Sequence, residues 1–275
     1  MKTKNSKRVA LILACFFVLL TVLFILTFVL PKNEKRTETV TENGENGFYS
    51  ETTYFYNETD YKEYKNSDSP EAVKYSPEEK FVAAAVKKLY ASDDGQFSND
   101  ERQYFLSIEM KVTLNKAMGE YEVTGSAKWA NEKSFRGEQT AEHTWFDFLG
   151  ISWGGKKSFV GTQKSIDGAY YNTHAPVHFA TCEANSYGGY IWLFEEKTGM
   201  YGDAMEYAEA SVILDTYNEK KGNETYAKLT YIHTYENAGG IPHFMHDPSG
   251  ESSQISYNTS GKQWSVELSV GGLAY

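Results

Sequence analysis

The sequence predicts a mainly β chain: an antiparallel β-sandwich or flattened barrel with one packed N-terminal helix, preceded by a single transmembrane helix and a stalk. Three observations predict it. An unbroken apolar run of 22 residues, 9–30, follows a basic N-terminus. A capped apolar stripe beginning at Ser76 has the spacing of a soluble helix. From Gln103 onward apolar and polar residues alternate with a period of two, the signature of half-buried strands.

The apolar run comes first. A helix rising about 1.5 Å per residue would span roughly 33 Å over it, the hydrocarbon thickness of a bilayer. The run ends in Leu30-Pro31-Lys32 with no small-x-small cleavage pattern, so it reads as an uncleaved signal anchor. Ile12-Leu13-Ala14-Cys15 loosely resembles a lipobox, but fifteen further apolar residues follow Cys15 where a mature lipoprotein begins with a polar tether. Lys2, Lys4, Lys7 and Arg8 precede the run and no acidic residue does, so residues 1–8 are expected in the cytoplasm and everything after residue 30 across the membrane.

Charge narrows the partners. Beyond the basic N-terminus the chain carries 23 Lys and Arg against 37 Asp and Glu, a formal −14. Such a surface repels polyanions, which excludes nucleic acid as a ligand. Cys15 lies in the membrane run and Cys182 in the outer part, so no disulfide is expected. An exported domain without disulfides suits a bacterial cell envelope.

Residues 31–69 are polar and acidic, and read as a flexible stalk. Tyr49, Tyr54, Phe55, Tyr56, Tyr61 and Tyr64 interrupt the linker composition, but so few aliphatic side chains accompany them that the expectation is a solvated segment. Residues 70–275 are then the extracytoplasmic domain. It opens with the expected helix: Ser76 as N-cap, Pro77 at the first helical position, Glu79 closing a capping box, and Phe81, Val82, Ala85, Val86 and Leu89 as the apolar stripe, with Ser92-Asp93-Asp94-Gly95 ending it.

The strands follow. Leu106, Ile108, Met110, Val112 and Leu114 alternate with polar residues, and after a turn at 115–119 so do Tyr121, Val123, Ala127 and Trp129, which predicts a hairpin. Residues 208–217 and 225–235 are expected to pair across the turn at 218–223, and 252–258 to pair with 264–270. About ten strands in all fit a sandwich whose sheets each keep one wet face. An internal repeat lies among them: Trp129 to Gln139 and Trp153 to Gln163 share Trp, Lys, Ser, Phe, Gly and Gln in register, 24 residues apart. Both tryptophans sit on the apolar parity of their strands, which predicts core packing rather than an exposed platform.

The residues capable of chemistry are dispersed. His174, His178, His243 and His246 are candidate metal ligands, yet Pro176 and the strand-like surroundings of His178 rule out a helical i, i+4 pair, and no standard ligand spacing is met. His233 shares the face of Leu229 and Tyr231, the place of a hydrogen-bonded core histidine. Glu195 and Glu196 are adjacent on a strand and so point to opposite faces; a dyad would need Glu195 with a residue such as Glu209. No nucleophile elbow, zinc-protease helix, phosphate loop or dinucleotide fingerprint is present. No cofactor is implied. Tyrosine-rich turns, 167–172 and 185–190, suit adaptable recognition, with Tyr170, Tyr171, Tyr187, Tyr190 and Trp192 as candidate binding residues. The reading is a membrane-tethered module that binds a surface protein or glycan or serves as an accessory subunit. The alternative is an extracytoplasmic hydrolase or metal-binding protein using the histidines and a carboxylate.

Overall fold

The computed structural model describes residues 37–43, 48–68, 79–91, 104–130, 144–154, 159–197, 205–216, 224–235, 240–246, 253–257 and 262–274. The apolar run 9–30 lies outside them. Among the described residues no helix is long and apolar enough to cross a membrane.

Alternation does what it predicts in the segment after residue 103. Strand β4 (Tyr104–Asn115) buries Leu106, Ile108, Met110 and Val112, strand β5 (Glu120–Trp129) buries Tyr121, Val123, Ala127 and Trp129, and the two pair antiparallel around the expected turn. Gly119, in the left-handed region at φ 72°, closes that turn.

Around this hairpin, strands β1 (Thr37–Asn43), β2 (Phe48–Phe55), β3 (Glu79–Ala91), β7 (Phe159–Tyr170) and β10 (Met205–Thr216) complete a seven-stranded sheet in the order β1-β2-β3-β4-β5-β10-β7. A second sheet of five strands has the order β14-β11-β6-β9-β8, from β6 (Thr144–Trp153), β8 (Phe179–Asn185), β9 (Gly189–Lys197), β11 (Glu224–Tyr235) and β14 (Lys262–Ala274). Every ladder is antiparallel. The inner faces share one core, with Ile108, Val123 and Val212 from the first sheet against Leu149, Leu229 and Leu268 from the second. The fold is therefore an antiparallel β-sandwich. A short hairpin, β12 (His243–His246) with β13 (Ser253–Ser256), covers part of the second sheet's outer face, where Phe244 and Ile255 meet Phe148, Ile191 and Ile232.

Three expectations are corrected. The stripe expected as a helix from Ser76 is β3 over Glu79–Ala91. This strand is apolar on both faces: Ala83, Ala85 and Leu89 enter the main core, whereas Phe81, Ala84 and Val86 face outward into a second cluster. A strand buried on both sides loses its alternation, and its run of apolar residues imitates a helical stripe.

The helix lies earlier, inside the segment expected as a stalk. There β1, β2 and α1 (Glu58–Asp68) extend and cover the first sheet. Asn57 caps α1, accepting from the Asp60 amide at 2.8 Å, and acidic Glu58 and Asp60 occupy its first turn. Tyr61 stacks on Phe81, with centroids 5.5 Å apart, and meets Phe55 edge-on at 5.6 Å. Aromatic rings, at 150–250 Å² buried each, supply the area that the missing aliphatics do not.

The third correction is pairing. β10 and β11 do not pair, because β10 lies between β5 and β7 in one sheet while β11 lies between β6 and β14 in the other. Likewise Ser253–Ser256 pairs with β12, and β14 with β11.

In the second copy of the repeat, Trp153 ends β6 and its indole donates to the Phe159 carbonyl that starts β7, at 3.3 Å. Residues 131–143, most of the first copy, lie outside the described residues. Trp129 and Trp153 are both buried in the main core, as their parity predicts.

Candidate functional site

The connection from β7 to β8 crosses between the sheets at one end of the sandwich, and its conformation is held at several points. The Tyr170 amide donates to the Ala175 carbonyl at 3.1 Å, the His174 amide to the Tyr170 carbonyl at 3.1 Å, and the Val177 amide to the Gly168 carbonyl at 2.9 Å. The two tyrosine hydroxyls tie the loop to both sheets. Tyr170 donates to the Glu195 carbonyl of β9 at 2.9 Å, and Tyr171 to the Trp129 carbonyl of β5. Gly168 permits a close approach both to β10 and to the start of β8, since a Cβ there would stand 2.5 Å from the Tyr207 carbonyl oxygen and 2.9 Å from the Phe179 ring. Val177 is buried as a plug, while Asn172, Thr173, His174, Pro176 and His178 are exposed. His174 adopts φ 52°, a left-handed conformation that non-glycine residues rarely take. Its side chain is 76% exposed and stands 4.0 Å from the Glu206 carboxylate.

The five residues expected to bind therefore divide. Tyr190 and Trp192 are 6% and 3% exposed, and they point into the core, so neither is a surface contact. Tyr190 instead donates to the Gly161 carbonyl at 3.0 Å. Tyr170 and Tyr171 are half-buried and use their hydroxyls to fix the loop. Tyr187 is exposed, but it sits in the turn between β8 and β9. That turn joins the Gly189 end of β9, whereas Tyr170 bonds at Glu195, six residues or about 20 Å along the strand. The two tyrosine-rich turns occupy opposite ends of the sandwich.

The histidines do not converge either. His174 and His178 are exposed on the loop of residues 170–178. His243 is on β12, whose Phe244 amide donates to Glu183 at 3.0 Å, five residues or about 16 Å along β8 from His178. The His246 side chain lies outside the described residues. Among the described residues no group of three or more His, Cys, Asp and Glu side chains is arranged to hold a metal ion. Glu195 and Glu209 also stay apart. Trp192 and Phe194 face the core, so Glu195 faces outward from the second sheet; Ala208 and Ala210 face the core, so Glu209 faces outward from the first. The whole sandwich separates them.

Glu209 instead joins a row across the outer face of the first sheet, in register with Ser126 on one side and Asp167 on the other, with Glu109 beyond Ser126. Desolvation and then the Glu109 charge push the Glu209 carboxyl up, against smaller opposing effects of Lys111 and Lys65. Glu109 is itself engaged, by the Tyr61 hydroxyl and by Lys65 at 2.9 Å.

One polar constellation escapes the sequence. Asp147 on β6 is buried and accepts three hydrogen bonds from β11: the Tyr231 hydroxyl at 2.5 Å, His233 Nδ1 at 2.8 Å and the Thr234 amide at 2.9 Å. The rings of Trp129 and Trp264 lie 5.5 and 5.1 Å from His233. His233 sits where its parity predicts. The signal for Asp147 is present too, an acidic residue on the apolar parity of Leu149 and Ile151.

No family model matches the chain, and no curated protein matches it. Among solved structures it is similar to one described as "pH-induced modulation of Streptococcus parasanguinis adhesion by Fap1 fimbriae", with 15% identity and a TM-score of 0.28 over 59% of this chain and 79% of that one. It is also similar to Clostridium perfringens delta-toxin, with 8% identity and a TM-score of 0.30 over 72% and 95%. A third, described as a pore forming protein, has 7% identity and a TM-score of 0.24 over 85% and 96%. Likenesses this distant transfer no function to the chain.

Proposed function

We propose that the chain is a membrane-tethered, extracytoplasmic β-domain that binds a surface protein or glycan through the loop of residues 170–178. The observation that supports this best is His174. A left-handed non-glycine residue costs about 1–2 kcal/mol, and here it is held by a hydrogen-bonded loop whose Tyr170 and Tyr171 bond to opposite sheets. That arrangement presents an amide, a hydroxyl and two imidazoles, on Asn172, Thr173, His174 and His178, in a preorganised surface, which lowers the entropy cost of binding. The tether is supported by the apolar run 9–30 and the four basic residues before it, and the acidic outer surface favours partners other than polyanions.

The test uses the full chain in lipid nanodiscs, screened against a glycan array and against cross-linkable outer-surface proteins. Wild type binds a glycan or protein, and the triple variant Asn172→Ala, Thr173→Ala, His174→Gly loses at least about tenfold in affinity while still melting cooperatively. Unchanged affinity in the variant would remove the loop from the site, and no binding by wild type to either class would overturn the reading.

A further inference from the structure

We propose that β1 is a docking edge that takes an extended, basic segment of another protein as an added strand of the first sheet. Among the described residues β1 and β7 are the outer strands of that sheet, and β14 and β8 those of the second. The edges β7, β8 and β14 each carry a feature that blunts strand pairing. Lys164 on β7 is exposed although it is in register with core Val212, so it sets a charge on the inward side of the edge, its ammonium 4.6 Å over the Tyr190 ring, and the register with β10 shifts at Thr162. The register of β8 shifts at Cys182, and that of β14 at Gly272, which has φ 92°. Inward charges and bulges of this kind keep further strands from adding to an edge.

β1 has none of these features. All of its residues, Thr37 to Asn43, pair with β2 in unbroken register, and the segment contains no proline, glycine or lysine. The strand is held in place by its neighbours. Thr37 donates to Asp60 of α1 at 2.8 Å, the Thr39 and Thr53 hydroxyls are 3.3 Å apart, and Lys87 of β3 reaches Glu42 at 3.5 Å. From Thr37 to Glu42 every residue is exposed apart from half-buried Val40. The backbone groups on the side away from β2 form a template for another strand, and because β1 is already fixed, a partner meets little ordering cost on this side of the contact.

The side chains select what adds. Glu38, Val40 and Glu42 lie on one face, opposite Tyr54, Thr52 and Ser50, and Thr37, Thr39 and Thr41 on the other. Burial, then Glu42, Tyr56 and Glu38, push the Tyr54 hydroxyl up, so the two carboxylates act together on their face. Glu42 keeps 60% of its side-chain surface exposed beside Lys87. An incoming antiparallel strand centred on Val40 places its own side chains directly opposite both glutamates, where opposite charges favour pairing and like charges oppose it. A second copy of β1 in that register sets Glu38 against Glu42 twice, and shifting the register to avoid this shortens the ladder. The strand that fits carries Lys or Arg four residues apart with β-branched residues between them. β1 is the far edge of the sheet from β7, where the loop of residues 170–178 begins, so this surface is separate from the proposed binding loop.

The experiment uses the full chain in nanodiscs of neutral lipid and two end-blocked peptides at millimolar concentration, one of the β1 sequence and one with lysine in place of both glutamates. Affinity is read by NMR titration, and hydrogen exchange is followed over residues 37–43. The lysine peptide is expected to bind at least about tenfold more tightly than the glutamate peptide and to slow exchange in β1, with the difference shrinking at high salt. The double variant Glu38→Lys, Glu42→Lys should reverse the preference, which a damaged fold would not do. Equal affinities, no binding of either peptide, or protection that falls outside residues 37–43 would overturn the proposal, and tighter binding of the glutamate peptide would overturn it in favour of a second copy. If the double variant does not fold, Glu38→Gln, which leaves the Lys87–Glu42 contact in place, should still weaken the lysine peptide; unchanged affinity there would count equally against the proposal.

Discussion

Gly150 of β6 lies directly beneath Ile255 of β13: a Cβ on Gly150 would stand 2.1 Å from the Ile255 Cδ1 atom. The hairpin β12–β13 reaches the second sheet at two such points, the other being Gly189, whose Cβ would meet the Phe244 ring at 2.6 Å and the Ile151 carbonyl oxygen at 2.5 Å. The two differ in what must yield. Ile255 Cδ1 is the end of a flexible side chain, whereas the Ile151 oxygen is backbone in the middle of a sheet, and Gly189 also has φ 156°. Gly150→Ala is expected to cost about 1 kcal/mol and Gly189→Ala about 3 kcal/mol, the two ends of the overpacking range. Cys182 reports the displacement. It lies partly under the hairpin, its thiol bonds the Pro242 carbonyl, and burial followed by the Glu183 charge pushes that thiol up. Its modification by a thiol reagent should accelerate in both variants and more in Gly189→Ala; equal rates in all three proteins would show that the hairpin does not ride on these glycines.

Helix α1 is attached by Tyr61 in two ways, by its ring and by its hydroxyl. Tyr61→Phe leaves the ring against Phe81 and Phe55 and removes the hydroxyl that bonds Glu109, so it should cost about 1.5–3 kcal/mol, the worth of a hydrogen bond to a charged group. Tyr61→Ala loses the buried ring as well, and should cost about 3–5 kcal/mol. Denaturant unfolding of the two variants separates the contributions. Equal midpoints would mean that the aromatic cluster adds nothing.

Glu209 makes the domain slightly less stable at neutral pH than at mildly acidic pH. Its carboxyl is raised in the fold by desolvation and by Glu109, so the folded state holds the proton more tightly than the unfolded chain. The favourable contribution is complete below the unfolded carboxyl value and is lost as pH rises through the folded one. Glu209→Gln should therefore raise the melting temperature at pH 7 only slightly, because solvent screens the exposed side chain, and leave it unchanged near pH 3. A gain of the same size at both values would assign the effect to packing.

Tyr90 should resist alkali. Burial, then the charge and hydrogen bond of Glu51, push its hydroxyl up to about 12. The neutral form is the one the fold prefers, so its contribution is present below the ordinary tyrosine value and disappears as pH rises through about 12. In an ultraviolet titration read as the difference between wild type and Tyr90→Phe, Tyr90 should ionise late, and Glu51→Gln should bring that step earlier. An unchanged late step in that variant would show that burial acts alone.

The sandwich was legible where each strand has one wet face. Residues 104–129 alternate cleanly because Leu106 to Val112 and Tyr121 to Trp129 meet the core while their neighbours meet water. β3 was not legible, because α1 covers Ala84 and Val86 on the face that a solvated strand would keep polar. α1 itself was hidden by composition, since Phe55, Tyr61 and Tyr64 bury area that a count of aliphatic residues does not register. The site followed the same division. Tyr190 and Trp192 carry the apolar parity of β9 and could have been read as core, whereas the roles of Tyr170 and Tyr171 as struts depend on carbonyls 25 and 42 residues away.

The sequence by itself determined a β-rich, acidic chain behind an apolar run, the β4–β5 hairpin, and the burial of Trp129, Trp153 and His233. These properties are local: parity and turn chemistry act over a few residues. Tertiary structure alone decided which sheet receives each strand, that α1 covers β3, that the tyrosine-rich turns stand at opposite ends, and that Asp147 meets His233 across 86 residues of chain. Alternation states which side of a strand is apolar. Which neighbour lies against that side is set by the pairing of distant strands, where many weak contacts must be satisfied together.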